Sequence, residues 1–232
     1  MSMAGTLGLI GGITPASTID YYRSLVAAYQ RERPNQFPSI LINSIDLTRL
    51  LDLVGRGRLG ELTDWLSAEL ERLARGGATF ALMTSNTPHL VYDDLSARSP
   101  IPLLSIVEAA ADAAAAFGLR ELGILGTRFT MEGGFYEAVF GRRAMRVRRP
   151  AGPDLEYVHE TYMHELIPGR FLPESRAGIL AVIDRLADEG ADGVLLAGTE
   201  LPLLLGEEVQ ARVPVLDTTR IHVRRAVSEL LR

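Results

Sequence analysis

The chain repeats itself at a nearly constant offset, and this constrains the fold more than any other feature. Leu7-Gly8-Leu9-Ile10-Gly11-Gly12 is matched 115 residues later by Leu122-Gly123-Ile124-Leu125-Gly126-Thr127. Each is a short apolar run entering a glycine turn, the pattern of a buried parallel strand. Residues 71–78 match residues 184–191 at an offset of 113, and each reads as an amphipathic helix stopped by Gly. Both copies then enter an apolar strand, Phe80-Ala81-Leu82-Met83 in the first and Val194-Leu195-Leu196-Ala197 in the second. Those strands end in small polar turns, Ser85-Asn86-Thr87 and Gly198-Thr199-Glu200. A fourth match, Ile101-Pro102-Leu103-Leu104 with Val213-Pro214-Val215-Leu216, has an offset of 112. Strands alternating with helices, twice over, predict an α/β chain of two similar halves. Each half is a mostly parallel sheet covered by helices. The expected first domain is 1–103 plus 213–232, and the expected second is 104–212.

Composition narrows the chemistry. The 232 residues contain no cysteine, which removes disulfides, thiolate metal ligands and any thiol nucleophile or base. All 24 basic residues are arginine, so a lysine Schiff base cannot form and a Walker-type loop would lack its lysine. A net charge of −5 gives no sequence-wide attraction for nucleic acid or anionic membrane. The longest apolar run, Gly193 to Leu205, is interrupted by Gly198, Glu200 and Pro202, so no membrane span is expected. The N-terminus lacks the basic and long apolar regions of a signal peptide, and a cytoplasmic location is the default expectation.

Parallel sheets of this kind bind ligands beyond the carboxyl ends of their strands. Here those ends carry Gly11 to Thr14, Ser85 to Thr87, Thr127 to Thr130 and Gly198 to Glu200. Backbone N–H groups at such turns, together with hydroxyls, suit carboxylate oxygens. Two related halves with matched strand ends predict one small-molecule site in the cleft between them. Thr14, Asn86, Thr87, Thr127, Thr130 and Thr199 are the candidates for contacting a carboxylate or an ammonium group. Ordinary turn and helix capping is the competing reading of each. Arg49, just after a strand-like stretch, could grip a distal carboxylate with two hydrogen bonds, or be a solvated helix-start residue. Gly-Gly-Ile-Thr-Pro is not a dinucleotide fingerprint, and no serine sits in a nucleophile elbow. His159 and His164 lack the spacing and carboxylates of a metal site, and His89 and His222 stand singly, so no metal is expected. The arginines at 142, 143, 146, 148 and 149 read as a solvated connection.

The opening Gly11-Gly12-Ile13-Thr14-Pro15-Ala16-Ser17-Thr18, followed by Tyr21-Tyr22, resembles that of the aspartate/glutamate racemase family. Ser85-Asn86-Thr87-Pro88-His89 is similar to its Cys-Asn-Thr-x-His motif. Leu125-Gly126-Thr127-Arg128-Phe129-Thr130-Met131 resembles its Leu-Gly-Thr-x-x-Thr-Met turn. Gly198-Thr199-Glu200-Leu201 resembles its Cys-Thr-Glu-Leu motif, and Val215-Leu216-Asp217-Thr218 its late Val-x-Asp-Thr strand. The likeness runs in order along nearly the whole chain, and the broad-specificity amino-acid racemase subgroup is the nearest. It implies two pseudo-symmetric Rossmann-like domains, an amino-acid or other small carboxylate substrate, no cofactor and a homodimer.

The same resemblance implies a departure. The family moves a proton off one face of the α-carbon and onto the other, using one thiol from each half. By that comparison the thiol positions are Ser85 and Gly198 in this chain. Serine is isosteric with cysteine but far less acidic, and glycine offers no side chain. Thr84, Thr199, Glu200 or a water could substitute, and Glu200 is the obvious carboxylate, although its family role is support. Tyr157 falls where related sequences lead one to expect a second cation. Three readings follow. The leading one is a cofactor-independent racemase-type isomerase acting on a small, acidic amino acid by acid/base chemistry. The others are a lyase or decarboxylase needing a base on one face only, and a non-catalytic carboxylate-binding protein.

Overall fold

Two parallel four-stranded sheets organise the chain. In the computed structural model, which describes residues 5–206 and 209–232, the first sheet is built from β1 (Thr6–Gly11), β2 (Ser39–Ser44), β3 (Phe80–Met83) and β4 (Leu103–Leu104). Its strand order is β2-β1-β3-β4. The second contains β5 (Glu121–Leu125), β6 (Arg146–Arg148), β7 (Gly193–Leu196) and β8 (Val215–Asp217), in the order β6-β5-β7-β8. The two orders are the same once the second set is renumbered, and the registers agree as well. Ile10 pairs with Met83 in one sheet, and Leu125 with Leu196 in the other. The repeat in the sequence is therefore a repeat of topology.

The central strands are apolar on both faces because helices cover both. β3 and β7 are buried throughout. On one face of the first sheet, Leu7, Leu9 and Leu82 pack with Tyr21 and Leu25 of the helix Pro15–Glu32. Val223, Ala226, Val227 and Leu230 of the C-terminal helix Thr218–Leu230 join the same cluster. In the second sheet Leu122, Ile124, Val194 and Leu195 are fully buried, as are Ile179, Val182 and Ile183 of the helix Pro173–Asp188. A Cβ on Gly123 would stand 2.9 Å from Leu186 Cδ1, so that helix lies close on β5.

The compact units are residues 1–106 with 222–232, and residues 107–221. This moves the division expected from the sequence. Residues 213–221 belong with the second unit, because β8 is hydrogen-bonded along β7 and Thr218 Oγ1 donates to the Leu196 carbonyl at 2.7 Å. Leu104 belongs with the first, as the partner of Leu82 in β4. The end of the C-terminal helix does return to the first sheet, as its core cluster shows. Among the described residues no helix is long and apolar enough to cross a membrane.

Candidate active site

In the first unit the carboxyl ends of β1 and β3 are tied together by hydroxyls. Thr18 Oγ1 accepts from the Gly12 N–H at 2.8 Å and shares a hydrogen bond of 3.2 Å with Thr84 Oγ1. Thr84 also donates to the Ile10 carbonyl at 3.3 Å. Thr84 is fully buried and spent on this bracing, so it is not a substitute acid or base. Gly12 has φ of +85°, and a Cβ there would press on Ser44 Oγ at 2.7 Å and on the Ile45 backbone. Glycine is what lets the β1 turn lie against the end of β2.

Thr14 caps the helix Pro15–Glu32, accepting from the Ser17 N–H at 3.4 Å, and is itself buried. Ser85 stands two residues past β3 and is 8% exposed, the most open of the buried polar groups of its turn. Asn86 and Thr87 follow it, both buried, at the start of the short 3₁₀ turn Thr87–Val91. Arg49 lies exposed on the helix Leu47–Gly55 with its guanidinium carbon 4.5 Å from the centre of the Trp65 ring.

His89, the last residue of the first motif, is structural. It is buried, its ring stacks on Tyr92 with centroids 5.3 Å apart, and its Nε2 accepts from the Ile106 N–H at 3.3 Å. Burial pushes its pKa down to about 4, against the pull of the Asn86 and Ser85 backbone. A neutral imidazole thus pins the β3 turn to the start of the helix Ile106–Ala116, which follows β4.

The second unit repeats the placement with different chemistry. Thr127 caps the short helix Arg128–Met131, accepting from the Thr130 N–H at 3.3 Å, and the two hydroxyls lie 3.2 Å apart. Both threonines are buried, and Thr127 is the cap of that helix. Gly198 stands two residues past β7, the position that Ser85 occupies after β3. The backbone agrees: Thr84 N–H donates to Ile10 at 3.0 Å, and Ala197 N–H donates to Leu125 at 2.7 Å.

The space beside Gly198 is filled by Tyr162. A Cβ on Gly198 would lie 2.8 Å from the phenol oxygen and 2.9 Å from Cζ, with Cε2 closer still. Tyr162 is 4% exposed, and its hydroxyl donates a hydrogen bond to Glu200 Oε2. Thr199 Oγ1 donates to the same carboxylate oxygen at 3.0 Å, and the Glu200 N–H approaches the phenol oxygen at 3.4 Å. Thr199 and Glu200 are themselves buried. Burial, and then the neighbouring Glu200 charge, hold the phenol's pKa well above its ordinary value. Tyr162 opens a π-helical turn, Tyr162–Leu166, in which the Ile167 N–H donates to the Tyr162 carbonyl at 3.0 Å. Such turns often mark functional positions.

No motif in the sequence pointed to Tyr162. The signal available was indirect: a glycine in a position that calls for a side chain invites a neighbour to fill it. Tyr157, by contrast, directs its hydroxyl against Gly178 of the helix Pro173–Asp188. His159 Nδ1 accepts from the Arg128 N–H at 3.1 Å, and His164 pairs with Glu160 on the surface. Among the described residues no cluster of three metal-ligating side chains occurs.

Comparison with known proteins gives a consistent picture. The Asp/Glu/hydantoin racemase family matches residues 10–226. The chain is 23% identical to the broad specificity amino-acid racemase RacX of Bacillus subtilis (strain 168), over 97% of this chain and 98% of that one. A crystal structure of a Yersinia pestis protein assigned as an Asp/Glu racemase superposes with a TM-score of 0.89 at 33% identity, covering 98% of this chain and 100% of that one. PH1733, an aspartate racemase homologue from Pyrococcus horikoshii OT3, gives a TM-score of 0.80 at 29% identity, covering 99% and 100%. The two four-stranded parallel sheets, the matched strand ends and these full-length likenesses lead to one conclusion: the chain belongs to the Asp/Glu/hydantoin racemase family and is an amino-acid racemase-like isomerase.

Proposed function

We propose that the protein interconverts the enantiomers of a small amino acid, with an acidic side chain, by acid/base chemistry at the α-carbon. The observation that carries this reading is the pair of equivalent positions two residues past β3 and β7, Ser85 and Gly198, each surrounded by buried hydroxyl, amide or carboxylate groups. Removing a proton from one face of the α-carbon and returning one to the other needs two proton-handling groups, and the reading assigns one to each unit. Asn86, Thr87 and Thr199, with Thr14, Thr127 and Thr130, supply hydrogen bonds for the α-carboxylate and ammonium groups. Arg49 is the candidate for a side-chain carboxylate, held near Trp65 until a ligand competes for it.

The acidic substrate is supported by the names of the Yersinia and Pyrococcus relatives, while the Bacillus relative carries a broad-specificity name. The absence of lysine supports a reaction without a pyridoxal Schiff base, so no cofactor is assigned. A cytoplasmic homodimer completes the reading. A lyase or decarboxylase would draw support from the missing side chain at Gly198, but the Tyr162 hydroxyl standing there offsets that argument.

Incubation with L- and D-aspartate and L- and D-glutamate in heavy water tests the proposal, with α-proton loss followed by NMR beside chiral analysis. Exchange with inversion is expected. Exchange with retention alone would favour the one-faced lyase, and silence on all four would overturn the reading.

A further inference from the structure

We propose that the phenol of Tyr162, backed by Glu200, is the proton carrier that the second unit brings to the substrate's α-carbon. The proposal rests on the isomerase reading above.

Three observations place the group. The Tyr162 ring and hydroxyl occupy the volume into which any side chain on Gly198 would project, so glycine at 198 and tyrosine at 162 fit each other. That volume lies two residues past β7, at the carboxyl end of a parallel strand, where such sheets carry their chemistry. And the hydroxyl is not a lone buried phenol, because it donates to a carboxylate that also holds Thr199.

The pairing matters because a phenol alone would be a poor base here. Its buried setting favours the neutral form. A relay avoids forming phenolate. The substrate C–H bond breaks, its electron pair stays on the α-carbon, and its proton passes to the phenol oxygen. In the same movement the phenol's own proton passes to the Glu200 carboxylate. Tyr162 is neutral before and after, and one negative charge has moved from Glu200 to the substrate. Reprotonation from this side is the same movement reversed, with Glu200 returning its proton and Tyr162 giving one to carbon. In this scheme Tyr162 touches the reacting atoms, and Glu200 acts through it.

The test uses the full chain in heavy water with aspartate and glutamate. Tyr162→Phe keeps the ring beside Gly198 and removes the proton. Glu200→Gln keeps an acceptor for the phenol and Thr199 but cannot take a proton. Each is expected to lower kcat for α-proton exchange with inversion by about 100-fold or more, the scale of one general acid/base group. The rise in melting temperature on adding substrate should be preserved in both, and Glu200→Asp should recover part of the rate. If Tyr162→Phe does not fold, Glu200→Gln carries the comparison. A folded variant of either kind with undiminished exchange overturns the role of the pair and leaves the isomerase reading standing. Wild-type protein silent on both amino acids overturns that reading and this one with it.

Discussion

The Tyr21 hydroxyl meets His222 Nδ1 at 3.1 Å, joining the first long helix of the chain to its last, 201 residues apart in sequence. His222 is fully buried, its Nε2 lies 3.3 Å from the Leu104 carbonyl, and its ring meets Tyr21 edge-on with centroids 6.0 Å apart. Both ring nitrogens are therefore used by a neutral imidazole, which fastens the C-terminal helix to the first sheet's β4 strand.

That fastening sets a pH dependence of stability. Burial holds His222 down to about 3, helped by the field of nearby His89, itself held to about 4. The unfolded chain titrates near pH 6.5, so below that pH it takes up protons that the native state refuses. Stability present above about pH 6.5 is then lost as pH falls, by up to about 1.4 kcal/mol per pH unit for each histidine. Urea midpoints measured between about pH 6.5 and about pH 5, above most carboxylate titration, should fall more steeply for wild type than for His222→Asn. Parallel slopes would mean that His222 does not refuse its proton.

The fit between Gly198 and Tyr162 makes a second prediction. Gly198→Cys should cost ~1–3 kcal/mol through overpacking against the ring. Tyr162→Ala should cost ~3–5 kcal/mol through the cavity it leaves. Combined, the two should cost less than their sum by about 1 kcal/mol or more, because each relieves the other. Chemical denaturation of the four proteins measures this, and simple additivity would show that the ring yields without strain.

Ser85 offers a gain-of-function test. The Ser85→Cys variant replaces an alcohol with a group of reference pKa about 8.5, close enough to neutral for a useful thiolate fraction. With Ser85 as the proton-handling group of the first unit, exchange on its face should rise ~10-fold or more, and Ser85→Ala should lose it. Equal rates in all three would move the first unit's chemistry to a different group.

A buried carboxylate under β2 bears on stability alone. Glu69 is 4% exposed, accepts from Asn43 Nδ2 at 2.7 Å and pairs with Arg72 at 2.8 Å. Glu69→Ala removes the shorter of two Asn43 Nδ2 bonds, leaving the 3.5 Å one to the residue-69 carbonyl, and should cost ~1–3 kcal/mol. Arg72, whose side chain is 63% exposed, should cost under ~1 kcal/mol when replaced by alanine. Urea melts that ranked the two in the opposite order would mean that the ion pair, not the Asn43 bond, dominates.

The duplicated architecture was legible in the sequence because parallel strands buried on both faces write continuous apolar runs ended by glycine, and here they do so twice. The domain boundary was misplaced although the repeat held the answer. Ile101 to Leu104 and Val213 to Leu216 match each other, and they supply the fourth strands of equivalent units, so each must stay with its own copy. The strand-end residues from Ser85 to Thr87 and from Gly198 to Glu200 could be found because they adjoin such strands. Tyr162 could not. It reaches Gly198 from a helical turn 36 residues earlier, and no local pattern encodes where a helix directs one ring. Thr84 was readable as polar, but its engagement with Thr18 and Ile10 is a contact between elements and becomes visible only in three dimensions.

The two sheets share one strand order, yet their third strands lead into unlike groups: an alcohol after β3, and a bare backbone faced by a phenol after β7. Mirror-image substrates have equal free energies, so their equilibrium ratio in water is one whatever the catalyst, and kcat/KM must be the same in both directions. Nothing equalises kcat and KM separately. A catalyst whose left and right hands differ can favour occupancy by one enantiomer and turnover of the other. In heavy water, the transient excursions of optical rotation begun from the L and D forms would then not be mirror images.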